Sequence, residues 1–251
     1  MEMAHWLGRL LRRPEPLARQ GSGPIAFEAV RGLNAPFEIV AVPGALALQA
    51  WRELNLRSGT VPVLLGQRKD TDTVLEAIAQ CEDAGADIIA AGSTLDLDAW
   101  LLERVAGDAD YYKYDSSMTV KPQGTSMLSP ARDIIDNKPH AQVFYALVPV
   151  EQSWQVPAIL KPGGWNECPE PAEHLAFFKR WDERYGARIV SYSGDIIEFV
   201  VARPPATMEE AQQLAREQFL YCPDIVHQGV GTGGNLAALL LESDNWYFWW
   251  D

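Results

Sequence analysis

The first half of the chain has apolar positions that alternate between the spacing of strands and the spacing of helices. Residues 37–42 form an apolar run that predicts a strand, and residues 61–65 predict another. Between them, apolar side chains recur at helical spacing, at Ala47, Ala50, Trp51 and Leu54. The pattern therefore predicts a strand, a helix and a second strand in succession.

Two further helices and a short apolar run follow. Thr73 and Glu76 have the spacing of a capping box, which predicts a helix that continues to Cys81. The apolar run at residues 87–91 predicts a short strand. The next helix is predicted to have its apolar face at Leu97, Trp100, Leu101 and Val105.

The periodicity then disappears, and prolines and glycines interrupt a polar stretch. We expect residues 109–142 to connect an N-terminal α/β domain, residues 25–108, to a C-terminal α+β domain, residues 143–251. Residues 1–24 are a separate basic arm. Three clustered tyrosines at the start of the connection indicate that part of it packs against a domain.

The C-terminal half begins with apolar runs at residues 143–150 and 156–160, both predicted as strands. Pro171 opens a helix whose buried face is predicted to be His174, Phe178, Trp181 and Tyr185. A hairpin, a helix capped by Thr207 and Glu210, a short helix near Leu239 and an aromatic strand at residues 246–250 complete the pattern.

This order of elements predicts an α+β fold, in which helices pack on a mixed sheet. Residues 61–65 and 156–160 have similar sequences, and a helix and a strand are predicted after each. The match allows two related halves; the alternative is coincidence in a short segment.

The charge of the chain restricts its partners. The net charge is −13, which opposes the approach of a nucleic-acid backbone, so we expect no nucleic-acid partner. The arm at residues 1–24 has four arginines against two glutamates, a net charge of +2. An acidic body attracts a basic protein and accelerates its encounter, although acidity also serves solubility alone.

The cysteine count and the hydropathy indicate the compartment. Three widely spaced cysteines do not form the dense, even set of a secreted disulfide scaffold. No apolar run approaches the length of a membrane span, and Arg9 interrupts the apolar stretch that a signal peptide requires. We therefore expect a cytoplasmic protein.

A series of motifs in the C-terminal half occurs in one order. They are residues 163–169, His174, Trp181, 185–186, Asp195, 209–211, 217–218, 222–224, 228–229 and 246–251. Taken together, they resemble the bacterial family called domain of unknown function 4253, over roughly residues 143–251. The resemblance implies a recurrent bacterial module. It implies no activity, cofactor or catalytic residue.

Two Cys/His pairs occur in this half, Cys168 with His174 and Cys222 with His227. Thiolate and imidazole are ligands that tetrahedral zinc prefers, and a thiolate beside an imidazolium is an activated nucleophile. Because the spacing is loose and no nucleophile signature accompanies either cysteine, we predict buried, structural cysteines and keep the metal site as the weaker alternative. We predict no cofactor.

Residues 229–234 are rich in glycine, as a phosphate-binding loop is. They follow a helix rather than a strand, and the sequence has no Gly-Lys-Ser/Thr motif, so we predict a turn between helices. An acid/base pair of Asp195 and Glu198 is the catalytic alternative to two solvated carboxylates near the hairpin.

Polar and aromatic residues on loops are the candidate binding site. Trp165 and Asn166 follow two glycines, on a predicted turn of the kind that often carries binding. The predicted binding residues are Trp165, Asn166, Asp195, Glu217, Asp224 and Gln228.

We therefore expect a non-catalytic protein-binding module. Its most concrete form is an immunity or antitoxin-type inhibitor of a basic bacterial toxin. The alternative is an enzyme or a small-ligand sensor with a pocket near Trp165, Asn166, Cys168, Asp224 and Gln228.

Overall fold

The strands lie in one mixed sheet. The computed structural model describes residues 25–119 and 128–251, so the predicted basic arm lies outside the described residues. The strands are β1 Glu28–Ala29, β2 Glu38–Val42, β3 Val61–Gly66, β4 Val143–Val148, β5 Ala187–Tyr192, β6 Ile196–Val201 and β7 Asn245–Trp249. Their order across the sheet is β1-β2-β4-β3-β5-β6-β7.

Strands from both halves of the chain belong to this sheet, and one strand of the C-terminal half lies between two strands of the N-terminal half. Strand β4 lies between β2 and β3 and is antiparallel to both. Strands β3 and β5 are parallel, through Leu64 and Ser191, and the remaining neighbours are antiparallel. A mixed sheet with packed helices confirms the predicted α+β class. The sheet takes its strands from both predicted domains.

The helices cover both faces of the sheet. They are α1 Ala47–Leu54, α2 Arg68–Gln80, α3 Gly85–Thr94, α4 Leu97–Gly107, α5 Pro157–Leu160, α6 Pro171–Tyr185, α7 Met208–Tyr221 and α8 Gly233–Leu240, with a π-helix at Ile225–Val230. Helices α6, α7 and α8 contribute to the large core on one face. Helix α1 packs on the other face, against side chains that include Val40, Leu64 and Tyr145.

Two apolar runs predicted as strands are helical. Residues 87–91 belong to α3, which packs so closely on α6 that a Cβ atom on Gly92 would lie 2.5 Å from the carbonyl oxygen of Ala172. Residues 157–160 form the single turn of α5, opened by Pro157. The similar residues 61–65 are a strand, so the short sequence match has a different conformation in each half.

Capping boxes and apolar spacing predicted the start of α7 correctly, but not the start of α2 or the buried face of α4. The box of Thr207 and Glu210 caps α7, as predicted. Helix α2 begins earlier than predicted, because Gln67 and Asp70 form its capping box and Thr73 lies inside it. In α4, Val105 is exposed and Arg104 takes the inward position, which corrects the predicted face.

Helix α6, the hairpin and the final strand match the prediction. His174, Phe178 and Trp181 are buried on α6, which ends at Gly186 with a positive φ.

Within residues 25–119 and 128–251, no helix combines the length and the apolarity that crossing a bilayer requires.

Candidate functional site

The loop between α5 and α6, residues 161–170, presents an exposed tryptophan, and we call it the Trp165 loop. Gly163 and Gly164 have φ angles of 89° and 79°, which glycine adopts without the strain that a side chain would cause. A Cβ atom on Gly163 would also collide with the carbonyl oxygen of Pro169. The amide of Gly164 donates to that oxygen at 3.2 Å, and the amide of Cys168 donates to the carbonyl oxygen of Trp165 at 3.0 Å.

The Trp165 loop is fixed from the side of α4. Glu167 Oε2 accepts hydrogen bonds from Arg104, at 2.9 Å, and from the Tyr112 hydroxyl, at 2.9 Å. Arg104 also donates to the Glu167 carbonyl oxygen at 2.8 Å, and its guanidinium lies over the ring of Trp100. These hydrogen bonds hold the backbone of the loop, while the Trp165 side chain is 37% exposed.

The other side of the loop contacts the segment after β7. Asn166 Nδ2 donates to the carbonyl oxygen of Asp251 at 2.6 Å, and the Asp251 amide donates to Asp224 Oδ2 at 3.0 Å. Gln228 Nε2 donates to Asp224 Oδ1 at 3.0 Å. The fold thus brings together four of the predicted binding residues: Trp165, Asn166, Asp224 and Gln228.

A second aromatic ring lies beside this line of hydrogen bonds. Tyr111 is 36% exposed, and its ring centroid lies 4.6 Å from that of His227. Its backbone carbonyl oxygen lies 3.0 Å from His227 Nε2. Burial raises the pKa of Tyr111, and the negative charges of Asp224 and Glu167 raise it further.

The remaining predicted binding residues lie in different surroundings. The Asp195 carbonyl oxygen accepts from the Trp250 amide at 3.1 Å, and burial raises the pKa of its side chain. Asp195 is therefore next to the strand end that the Trp165 loop contacts. Glu217 is separate: on α7, it accepts from the Trp181 indole at 2.5 Å and from Arg180 at 3.1 Å.

A buried line of polar side chains lies beneath the loop. Cys168 Sγ is 3.5 Å from His174 Nε2, and His174 Nδ1 is 2.6 Å from the Tyr221 hydroxyl. Burial lowers the pKa of His174 to about 3, so the imidazole is neutral. Burial raises the pKa of the Cys168 thiol, which opposes formation of the nucleophilic thiolate.

The two predicted Cys/His pairs do not converge on one point. Cys222 donates from its thiol to the carbonyl oxygen of Trp249 at 3.0 Å, while His227 is exposed and contacts Tyr111. In the part of the chain that the structure describes, no three His, Cys, Asp or Glu side chains are grouped to hold a metal ion. The weaker metal alternative therefore has no support in this geometry.

The Cys environments predict selective alkylation. We expect iodoacetamide to modify half-exposed Cys81 in the native protein, and Cys168 and Cys222 only after unfolding, because burial raises the pKa of both thiols. Peptide mass spectrometry after short labelling would measure the modified fraction of each cysteine. Native labelling of Cys168 at the rate of Cys81 would contradict this prediction.

Glu198 has surroundings that the sequence did not indicate. It was expected to be solvated or paired with Asp195, but it is fully buried, and both carboxylate oxygens accept from the Ser129 amide, at 3.0 and 3.1 Å. Burial raises its pKa to about 7. No local pattern identifies this residue, because Ser129 is distant in the sequence.

Arg104 and Tyr112 were also missed as parts of the site. They come from the first half of the chain and its predicted connection, and only tertiary contacts bring them to Glu167. The tyrosine cluster was the one signal available: Tyr112 is buried, and its ring centroid lies 6.1 Å from that of Phe219.

Comparisons with known proteins identify the C-terminal part of the chain. No curated protein matches the chain, and neither does any solved structure. The Trp165 loop, the buried polar line beneath it and strands β5 to β7 all lie within one matched segment. That segment, residues 145–251, matches the family model of a domain of unknown function, DUF4253, which confirms the resemblance found in the sequence.

Proposed function

We propose that the chain is a protein-binding module that contacts its partner through the Trp165 surface. This surface consists of Tyr111, Trp165, Asn166 and Gln228, together with Asp224, which is only 9% exposed and accepts hydrogen bonds from Gln228 and the Asp251 amide. The observation that carries the proposal is an exposed tryptophan on a loop whose backbone and neighbours are already hydrogen-bonded. A preorganised aromatic side chain binds with little loss of conformational entropy, and tryptophan is the residue type most enriched at binding hot spots.

The charge around this surface favours a basic partner. Asp108, Asp110 and Asp251 are exposed beside Tyr111 and the end of β7, and the whole chain has a net charge of −13. The guanidinium group of Arg104, which contacts the loop, already forms an ion pair with Glu167. Complementary charge accelerates association and selects the partner, while a central aromatic anchor supplies the affinity.

The most concrete form of this proposal is an inhibitor that covers the active site of a basic toxin, as an immunity protein or antitoxin does. An acidic surface around an aromatic anchor is suited to this task. Co-expression tests it directly: the wild-type chain should protect cells from its toxin, and the Trp165→Ala variant should not. Protection by the variant at equal expression would contradict the role of the Trp165 surface.

Trp165→Ala should weaken binding to the partner by about 2 kcal/mol, or about thirtyfold, because a hot-spot anchor is removed. Its midpoint of thermal unfolding should stay close to wild type, since the side chain is partly exposed. Titration calorimetry with a partner co-purified from the native host measures the affinity. Leu56→Ala is the matched control, because Leu56 is 86% exposed on the α1–β3 connection, and it should bind like wild type.

The alternative function is an enzyme or a small-ligand sensor that uses the same region. Asn166 and Asp224 are linked through the backbone of Asp251, and Gln228 donates directly to Asp224, so these donors and the Asp224 carboxylate are already engaged within the protein. The buried Cys168 thiol, with its raised pKa, does not favour covalent chemistry. These contacts favour recognition of a protein by the assembled surface.

A further inference from the structure

A cleft lies at the opposite end of the sheet from the Trp165 surface. Strands β5 and β7 are both antiparallel to β6, so they run in the same direction, and the Trp165 loop contacts the segment after β7. A cleft of about 370 Å³ lies instead where β3 and β5 begin, at Thr60 and Arg188. This volume falls within the range of small-molecule sites.

Charges of both signs line this cleft in equal number. Arg57 and Arg188 are the two cations, and Glu151 and Asp182 are the two anions. Among residues 25–119 and 128–251, none of these four side chains takes part in an ion pair shorter than 4 Å. Arg57 lies over the ring of Phe27, with its guanidinium carbon 5.2 Å from the ring centroid, a contact that does not neutralise its charge. The four charges are therefore not neutralised by ion pairs within the described part of the chain.

Asp182 is the least exposed of the four charges. Burial raises the pKa of its carboxyl group, although the positive charges of Arg188 and Arg203 lower it in part. A carboxylate in this position gains from a cation that replaces the water it has lost. Arg203 is already engaged, because its guanidinium donates to the backbone oxygens of Asp182 and Glu183 at the end of α6.

The floor of the cleft is formed before any ligand binds. Ser153 Oγ accepts from the Ile189 amide at 3.0 Å, which joins the β4–α5 connection to β5. Gln152 and Gln155 form a capping box next to it. Trp51 also lines the cleft. A preformed site avoids the entropic cost of ordering loops on binding.

We propose that this cleft binds a small zwitterion, a free amino acid. Its carboxylate is held by Arg57 and Arg188, since guanidinium groups match carboxylates in geometry and charge. Its ammonium group is held by Asp182 and Glu151, and its side chain contacts Trp51. The two acidic side chains disfavour a simple anion, and the two arginines disfavour a simple cation. This site is independent of the Trp165 surface.

A thermal-shift screen of the full chain against the standard amino acids tests the proposal. At about 100 times its dissociation constant, a ligand that binds the folded state alone raises the unfolding midpoint by several degrees. Acetate and methylamine, which each carry one of the two charges, are screened in parallel, with sodium chloride added to equalise the ionic strength. We expect at least one amino acid to raise the midpoint and both half-ligands to leave it unchanged.

Variants localise the effect to the cleft. Arg188→Gln and Asp182→Asn should each weaken binding of the active amino acid at least tenfold, while their midpoints without ligand stay near wild type. Arg31→Gln, an exposed arginine outside the cleft, should bind normally. The proposal is overturned if no amino acid shifts the midpoint, if acetate or methylamine alone produces the full shift, or if the two cleft variants bind as the control does.

Discussion

Replacement of Trp181 by alanine is expected to lower the free energy of unfolding by about 3–5 kcal/mol, the usual cost of truncating a buried aromatic side chain. Trp181 is fully buried on α6 and stacks on Phe248 of β7, with ring centroids 5.3 Å apart and planes 3° apart. The ring of Tyr221 meets its edge at 4.8 Å. The side chain thus connects α6, α7 and the sheet, and alanine would leave a cavity between them.

A hydrogen bond adds to this cost. The Trp181 indole donates to Glu217 Oε1 at 2.5 Å, and Glu217 also pairs with Arg180. Without the indole, a largely buried carboxylate loses one of its partners, which costs further free energy. Trp181→Phe separates the two effects, because it retains most of the ring volume and removes the donor.

Urea denaturation followed by circular dichroism measures the effect of Trp181→Ala on stability. Trp165→Ala is the matched control, because it removes the same side chain from an exposed position and should change the free energy of unfolding by less than about 1 kcal/mol. Equal losses in the two variants would show that α6 is not anchored through Trp181.

The second large effect is a dependence of stability on pH that comes from Glu198. Burial raises its pKa from the ordinary value of 4.5 to about 7, and the difference corresponds to about 3 kcal/mol. Because the folded state holds this proton more tightly than the unfolded state, the stabilisation is complete below about pH 4.5 and is lost as the pH rises to about 7.

Glu198→Gln removes the ionisation but keeps an oxygen that can accept from the Ser129 amide. Relative to wild type, the variant should therefore gain about 3 kcal/mol between about pH 4.5 and about pH 8. Urea denaturation of both proteins across this range measures the difference. Glu103→Gln, on the exposed side of α4, is the control. Its free energy of unfolding should change with pH in the same way as that of wild type.

The variant must be compared with wild type because His174 makes stability rise with pH, whereas Glu198 makes it fall. Its pKa is lowered to about 3 by burial, so its contribution to stability is present above about pH 6.5 and is lost as the pH falls. This contribution is common to Glu198→Gln and wild type and cancels in the difference. A difference that does not change with pH would mean that Glu198 has no raised pKa in the folded protein.

The sequence was most informative where local signals and burial agree. Helix α6 has Pro171 at its start and an apolar face at helical spacing, and both features were predicted; Gly186, which follows its last turn, was not singled out as its end. The hairpin of β5 and β6 and the aromatic strand β7 were also predicted. In the site, the pair Trp165 and Asn166 was identified because two glycines place it on a turn.

Short apolar runs were the least informative. Residues 87–91 and 156–160 have compositions that suit a buried strand or a buried helical turn equally, and periodicity cannot separate the two at this length. In the structure, α3 and α5 both pack against α6, a tertiary contact that the local pattern does not show.

By itself, then, the sequence determined the α+β class, helix α6, the hairpin, the final strand and the exposed turn at Trp165. Tertiary structure alone decided that β4 enters between β2 and β3, that Arg104 and Tyr112 fix the Trp165 loop, and that Glu198 is buried beneath Ser129. The physical reason is the range of the interactions. Capping, turn chemistry and periodicity act within a few residues, whereas strand order, salt bridges and the burial of a carboxylate depend on segments that only the folded chain brings together.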